Sequence, residues 1–313
     1  MPMILITGGT GFIGKALIRH LVELDQAVRI LIRPAPHSPQ LPIGVPMDVA
    51  LSGLTDARGL RAAMVGVDTV FHLATGEWRG TRASLMDIDI QGTRAVVEAA
   101  QDAGVRRFFY VSHLGADRAS AYPVLKAKGI AEEYIRKSSL DYTIVRSAIV
   151  FGPHDGLTTG IARLLSAIPY LFVLPGNGEA LIQPLWVEDL VTCLTWAMED
   201  PQTIQLTVDI GGPEYLPFRQ IVELVMQTIG VRRRLVHMGG PYLRAITVWL
   251  ESMFPGLPTS VYWLDYLAAN RTTSLDTVPR IFGLLPSRIS QRLAYLQGHS
   301  WGTSLARDLF RRR

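Results

Sequence analysis

The chain has 313 residues, a formal charge of +4 and 48% hydrophobic residues, enough for one large α/β domain and a smaller appended portion. No run of about 18 uninterrupted apolar residues occurs, so nothing reads as a membrane span, and the chain enters its first strand at once, leaving no room for a signal peptide. The single cysteine, Cys193, excludes an internal disulfide and fits a cytoplasmic setting; the cations are mostly scattered arginines, which argues against nucleic-acid binding, and the tail Arg311-Arg312-Arg313 reads as a solvated terminus.

Strand-like and helical patterns alternate through the first half, the rhythm of a doubly wound parallel sheet. Strands are expected over 3–7, 27–32, 45–51, 68–74, 106–112 and 141–146, and helices over about 12–24, 56–65, 82–103 and 123–138. After Phe151-Gly152-Pro153 strands become sparse while Pro and Trp are more frequent. With the glycine loop Gly8-Gly9-Thr10-Gly11-Phe12-Ile13-Gly14 between its first strand and first helix, the expected organisation is a dinucleotide-binding Rossmann-type domain over 1–150 and a mostly helical, substrate-side portion over 151–313, interleaved with the first.

The run Thr7-Gly8-Gly9-Thr10-Gly11-Phe12-Ile13-Gly14 sits between the first strand and the first helix. Gly8 permits the tight turn, Gly11 lets the backbone approach a pyrophosphate, and Gly14 lets helix and strand meet closely. The helix start offers free N–H groups and a positive dipole end, so Gly8, Thr10, Gly11, Phe12, Ile13 and Gly14 are the expected phosphate cradle. Where a site for NAD would place an acidic residue after the second strand, this chain has Arg33, a cation suited to a 2′-phosphate, with His37 nearby in sequence. NADP(H) is expected over NAD(H).

The strand end His72-Leu73-Ala74-Thr75 is expected to pass beneath the cofactor, with Leu73, Ala74 and Thr75 in contact and His72 a core residue. Together with Gly92-Thr93 and Trp186-Val187-Glu188-Asp189, these motifs resemble, in order, the extended or atypical short-chain dehydrogenases/reductases, over roughly residues 3–230. Tyr110-Val111-Ser112-His113-Leu114-Gly115-Ala116 is similar to the branch that contains the nucleotide-binding accessory subunit of respiratory complex I. That resemblance implies tightly held NADPH, with Val111 beside it and backbone around Leu54 helping with the adenine; Gly53 stands where an aspartate is common, and Asp89 where many relatives carry asparagine.

The superfamily's chemistry uses a tyrosine for the proton, a lysine four residues on for the ribose, and a serine for the substrate. Tyr122 and Lys126 have that spacing. Yet Val124, Lys128, Ala131 and Ile135 form one helix stripe, apolar but for the lysine, while Lys126, Gly129, Glu133 and Lys137 form a stripe that reads as solvated. An inward lysine needs a partner, and a ribose would supply acceptors, so Lys128 is the better ribose ligand. Counting from Val111-Ser112-His113 gives the same register and puts Val124 at the tyrosine position, with Tyr122 in the loop before the helix. His113 takes the serine position, either as a proton shuttle or as a cap on the strand end.

The aromatic and aliphatic stretch 242–268 is interrupted by Arg244 and Glu251, so it is amphipathic rather than spanning. It reads as self-packing, as a lipophilic pocket, as a docking face for a membrane redox complex, or as a helix resting on lipid. No metal-ligand spacing and no hydrolase arrangement is present. Two functions follow: an oxidoreductase or epimerase acting on a lipophilic substrate with Tyr122, His113 and Lys128 at the site, or a non-catalytic NADP(H)-holding accessory or assembly factor at a membrane surface.

Overall fold

The structure is a computed structural model and describes residues 2–35, 41, 44–82, 84–253 and 260–302. Its first half runs β1 (Met3–Thr7), α1 (Phe12–Glu23), β2 (Ala27–Ile32), β3 (Asp48–Leu51), α2 (Ala57–Ala63), β4 (Val67–His72), α3 (Gly92–Asp102), β5 (Arg107–His113), α4 (Pro123–Arg136) and β6 (Asp141–Ser147). The strands pair in parallel in the order β6-β5-β4-β1-β2-β3. Chain direction through the sheet reverses between β1 and β4, and the crevice beyond their carboxyl ends is where this architecture receives a ligand.

Both faces of the sheet are covered, which is why its strands read as near-continuous apolar runs. Ile4, Ile6, Phe71, Phe109 and Val145 are buried with Leu17 and Leu21 of α1 and with Leu190 and Leu194 of α6 (Val187–Glu199). Leu5, Val70, Phe108 and Ile144 are buried on the other face with Leu60, Val96, Ala131 and Ile135. A third apolar cluster closes the C-terminal portion, where Phe151 and Leu174 meet α5 (Thr158–Ala167) and α7 (Phe218–Ile229) through Ile161, Leu165, Ile221 and Val225. Among the helices that follow are α8 (Gly240–Met253), α9 (Val261–Tyr266) and α10 (Thr277–Phe282).

Four expectations need correction. The sheet has a seventh parallel strand, Leu206–Ile210, which pairs along β6 from Leu206 with Thr143 to Ile210 with Ser147. The third strand is only Asp48–Leu51, shorter than 45–51. The helix expected over 82–103 is broken: a 3₁₀ segment Glu77–Arg82 kinks at Gly80 (φ 59°), and a wide π-type turn, Met86–Gln91, precedes α3. Gly129, placed on a solvated stripe, is buried; a Cβ there would lie 2.4 Å from the Arg118 amide nitrogen, because the 117–118 backbone crosses that face of α4.

Candidate functional site

The phosphate end is made almost entirely of backbone. Gly8 adopts φ +72° and its carbonyl accepts from the Gly11 amide at 3.0 Å, closing the turn. A Cβ on Gly8 would lie 2.7 Å from the Ala74 nitrogen, and one on Gly14 only 2.4 Å from the Gly8 oxygen. These contacts bind loop, helix and strand end together so tightly that no side chain fits. Gly11 is the N-cap of α1 and supplies no side-chain acceptor, so the first-turn amides are left for an anion. Thr10 and Gly11 are exposed at the rim, Phe12 and Ile13 half-buried, and Gly14 buried. A cradle that a Cβ would fill, opened by an uncapped helix, fits a pyrophosphate.

Along the crevice, Leu73 donates its amide to the Thr7 carbonyl at 3.1 Å, continuing β4 past His72; Leu73, Ala74 and Thr75 are half-buried there. Arg33 is exposed at the end of β2, with no acidic side chain in the Arg33-Pro34-Ala35 segment that follows the strand; His37 lies outside the described residues. Leu54 is half-buried next to Gly92, and Asp56 caps α2 by accepting from the Arg58 and Gly59 amides. Val111 is buried in the core on the α1 side of the sheet.

Beneath the crevice runs a buried polar chain. The Thr93 hydroxyl donates to the Asp89 carbonyl at 2.7 Å and lies 2.9 Å from His72 Nε2. With its proton so committed, Thr93 accepts from Nε2–H, which leaves His72 Nδ1 to accept from the Thr7 hydroxyl at 2.6 Å. Burial, reinforced by the Lys128 charge, lowers the His72 pKa to about 3. His72 is a neutral core histidine that ties β1, β4 and α3 together.

At the other end of the crevice the chemistry is carried by side chains. Lys128 is buried with its Nζ 3.6 Å from Asp89 Oδ1 and 5.1 Å from the Tyr110 ring centre. Burial alone would lower the ammonium; Tyr110, Asp89 and Glu77 outweigh it and hold it well above the ordinary lysine value. The Asp89 carboxylate also accepts from the Thr75 hydroxyl (2.7 Å) and the Gly76 amide (2.9 Å). Burial pushes the Tyr110 phenol up to about 12, even with the ammonium near it. Val124, one turn before Lys128, is buried, whereas Lys126 is exposed.

His113, at the end of β5, donates from Nε2 to Glu77 Oε2 at 2.6 Å, both side chains being half-buried. Burial would raise the Glu77 carboxyl, but the His113 ring and the Lys128 ammonium hold it down at about 2. His113 Nδ1 is buried and meets no hydrogen-bonding partner among the described residues. Tyr266 of α9 stands edge-on to the His113 ring at 6.5 Å, and the Arg271 guanidinium lies over the rings of Tyr266 (5.9 Å) and Tyr122 (5.4 Å). Tyr122 is the N-cap of α4, with Pro123 in its first turn. Ser112 Oγ and two nitrogens of Arg271 are likewise buried without a hydrogen-bonding partner among the described residues, whereas the Tyr110 hydroxyl meets the Lys128 ammonium and the Tyr266 hydroxyl the Ile149 backbone. With His113 Nδ1, Ser112 Oγ and the Arg271 nitrogens carry hydrogen-bonding capacity that the protein's own groups do not use, which fits a polar ligand.

Sequence reasoning missed Glu77, Tyr266 and Arg271. Glu77 follows β4 by a few residues with no motif to mark it, and the other two arrive from the distant C-terminal portion through tertiary folding alone.

A family described as NAD(P)H-binding matches residues 8–163, which hold the glycine loop, Asp89, His113 and Lys128. These residues form an NAD(P)H-binding domain with a Rossmann-type fold. It is similar to subunit 9 of the NADH dehydrogenase [ubiquinone] 1 alpha subcomplex of Rattus norvegicus mitochondria, 27% identical over 88% of this chain and 70% of that protein. It is also similar to a ceramide reductase of Caulobacter vibrioides, 26% identical over 91% of this chain and 83% of the relative. Among solved structures, an epimerase from Methanothermobacter thermautotrophicus shares the fold, with a TM-score of 0.76 and 19% identity over 99% of this chain and 95% of that one. No described helix is long and apolar enough to cross a membrane.

Proposed function

We propose that this protein is an NADP(H)-dependent oxidoreductase that works at a membrane surface on a carbonyl or hydroxyl group of a lipophilic molecule, with His113 moving the proton. The observation that carries this reading is the buried, unpartnered His113 Nδ1 beside an Nε2 already held by Glu77 at 2.6 Å. Bound nicotinamide would supply or accept the hydride. The chain's own groups do the rest. Glu77 fixes the ring through Nε2–H and stabilises the imidazolium, so that Nδ1–H can donate to a substrate oxygen in reduction and Nδ1 can accept that proton in oxidation. Lys128, held cationic next to Asp89, orients the ribose hydroxyls; Arg33 takes the 2′-phosphate; the amides of Gly11 to Gly14 take the pyrophosphate. The similarity to a protein named ceramide reductase supports a lipid as the substrate class.

The second reading, an accessory or assembly factor that holds NADP(H) as a structural ligand, is favoured by Val124 at the register where a proton-donating tyrosine would precede Lys128, and by the similarity to a complex I subunit. Tyr122 belongs to the first reading only as a residue lining the mouth of the site beside Arg271.

The deciding experiment mixes purified protein with NADPH and long-chain ketones in lipid vesicles and follows nicotinamide absorbance. On the enzymatic reading, wild type turns over and His113→Gln loses about 10²–10⁴-fold in rate while binding NADPH in unchanged stoichiometry. Stoichiometric NADPH that never turns over selects the accessory reading. Arg33→Asp shifts preference toward NAD(H) by about ten- to a hundredfold, the worth of a charged hydrogen bond; an unshifted ratio removes Arg33 from cofactor choice.

A further inference from the structure

Helix α8 presents its faces the wrong way round for a helix of a water-bathed protein. Tyr242, Ile246, Trp249 and Met253, at spacings that share one face, are 76%, 44%, 58% and 58% exposed. Thr247 and Glu251, on the opposite face, are 5% and 8% exposed. The inward face is held by polar bonds: Glu251 Oε1 accepts from the Val261 amide at 2.8 Å, Arg82 donates to the Ser252 carbonyl at 2.8 Å, and Arg244 pairs with Asp265. The apolar stripe is therefore not turned outward for want of a well-anchored inner face.

The charges that precede it in the sequence indicate what covers it. Between Glu223 and Glu251 the sequence contains no acidic residue and four arginines, Arg232, Arg233, Arg234 and Arg244. Only Arg244 finds a carboxylate among the described residues. Arg232 and Arg234 are exposed at the start of the strand Arg234–Met238 that leads into α8, and Arg234 lines a shallow depression with exposed Tyr170, Val236 and His237. A second copy of this chain seated on this face would set arginines against arginines. A bilayer with anionic headgroups satisfies both features at once, burying the stripe in the acyl boundary and neutralising the cations. At about 1.5 Å per residue a 14-residue helix is about 21 Å long, too short to span a hydrocarbon core of about 30 Å, so it lies in the plane of the interface.

We infer that α8 is an interfacial membrane anchor: Tyr242, Ile246, Trp249 and Met253 enter an anionic lipid surface, and Arg232 and Arg234 bind its headgroups. The inference extends the membrane-surface part of the proposed function and gives it a place. Through Glu251 and Ser252 the inner face of α8 touches both the segment that carries Glu77 and the helix that carries Tyr266, so the anchor lies over the mouth of the His113 site.

The test is flotation of the full chain with phosphatidylcholine vesicles and with vesicles containing phosphatidylglycerol. Binding is expected to the anionic vesicles and to weaken steeply above about 0.1 M salt. Trp249→Asp combined with Ile246→Asp lowers partitioning at least about tenfold, and Arg232→Gln with Arg234→Gln lowers it roughly thirtyfold on anionic vesicles. Thermal melting of each variant checks that the fold survives. Cys193 is fully buried, so a fluorophore on Ile246→Cys reports this position alone, and its emission is expected to rise and shift blue on anionic vesicles. A protein that stays below the anionic vesicles, a stripe variant that floats as well as wild type, or a lipid-free dimer abolished by Trp249→Asp would each overturn the inference. None of these readouts depends on turnover, so failure of the anchor and failure of the enzymatic reading are separable.

Discussion

The two ends of the crevice are built on opposite principles. At the phosphate end the contacts come from main chain, and two glycines, Gly8 and Gly14, are held by clashes that any Cβ would create. At the His113 end the contacts come from side chains: His113 with Glu77, Lys128 with Asp89, and Val124 one turn before Lys128. A backbone cradle tolerates almost no change in residue type, whereas a constellation of side chains can be rewired within an intact fold. That difference explains how one chain can present a standard dinucleotide loop beside an unusual set of titratable groups.

The comparison can be broken most forcefully at Lys128. Lys128→Met leaves the buried Asp89 carboxylate without its cation, and a loss of about 3–5 kcal/mol of stability is expected in denaturant titrations. Adding Asp89→Asn should restore much of it; a double variant as unstable as the single one would show that the pair is not coupled. Next comes Gly14→Ala, whose methyl would meet the Gly8 carbonyl and the Gly9 Cα. It is expected to cost about 1–3 kcal/mol and to abolish NADP(H) binding by calorimetry. Retained affinity would mean that the cradle is softer than its geometry implies. His72 contributes acid sensitivity of comparable size, about 2 kcal/mol between pH 6.5 and 5. Its folded-state pKa, about 3, lies below the unfolded value of 6.5, so its contribution is complete above pH 6.5 and fades as pH falls toward 3. The slope is about 1.4 kcal/mol per pH unit in that window. Melting curves from pH 7 to 5 should fall more steeply for wild type than for His72→Asn, and parallel curves would assign the sensitivity elsewhere.

The parallel sheet was legible in sequence because its strands are short apolar runs separated by helical periods, and five of six strand spans agree to within two residues at either end. The glycine loop was legible for the same reason that it is rigid: its residue types follow from local geometry. Lys128 pointing inward and Lys126 outward could also be read from the stripe on α4. The interrupted helix before α3 could not. Its π-type turn holds Asp89, and that carboxylate is met by Thr75, Gly76 and Lys128 from three separate segments. Glu77 and Tyr266 were invisible on similar grounds, since each gains meaning only where β5 ends. Leu206–Ile210 escaped because five residues after a long excursion carry no local sign of which edge they join.

That last strand sets an order of assembly during synthesis. β6 is complete at Ser147, yet its neighbour Leu206–Ile210 leaves the ribosome some sixty residues later, after α5 and α6. Until then the nascent sheet ends in an open strand with unpaired N–H and C=O groups, a template for wrong partners. Chaperone dependence of this protein should therefore concentrate on ribosome-bound chains that stop between those two strands, and should fall away once Ile210 has emerged.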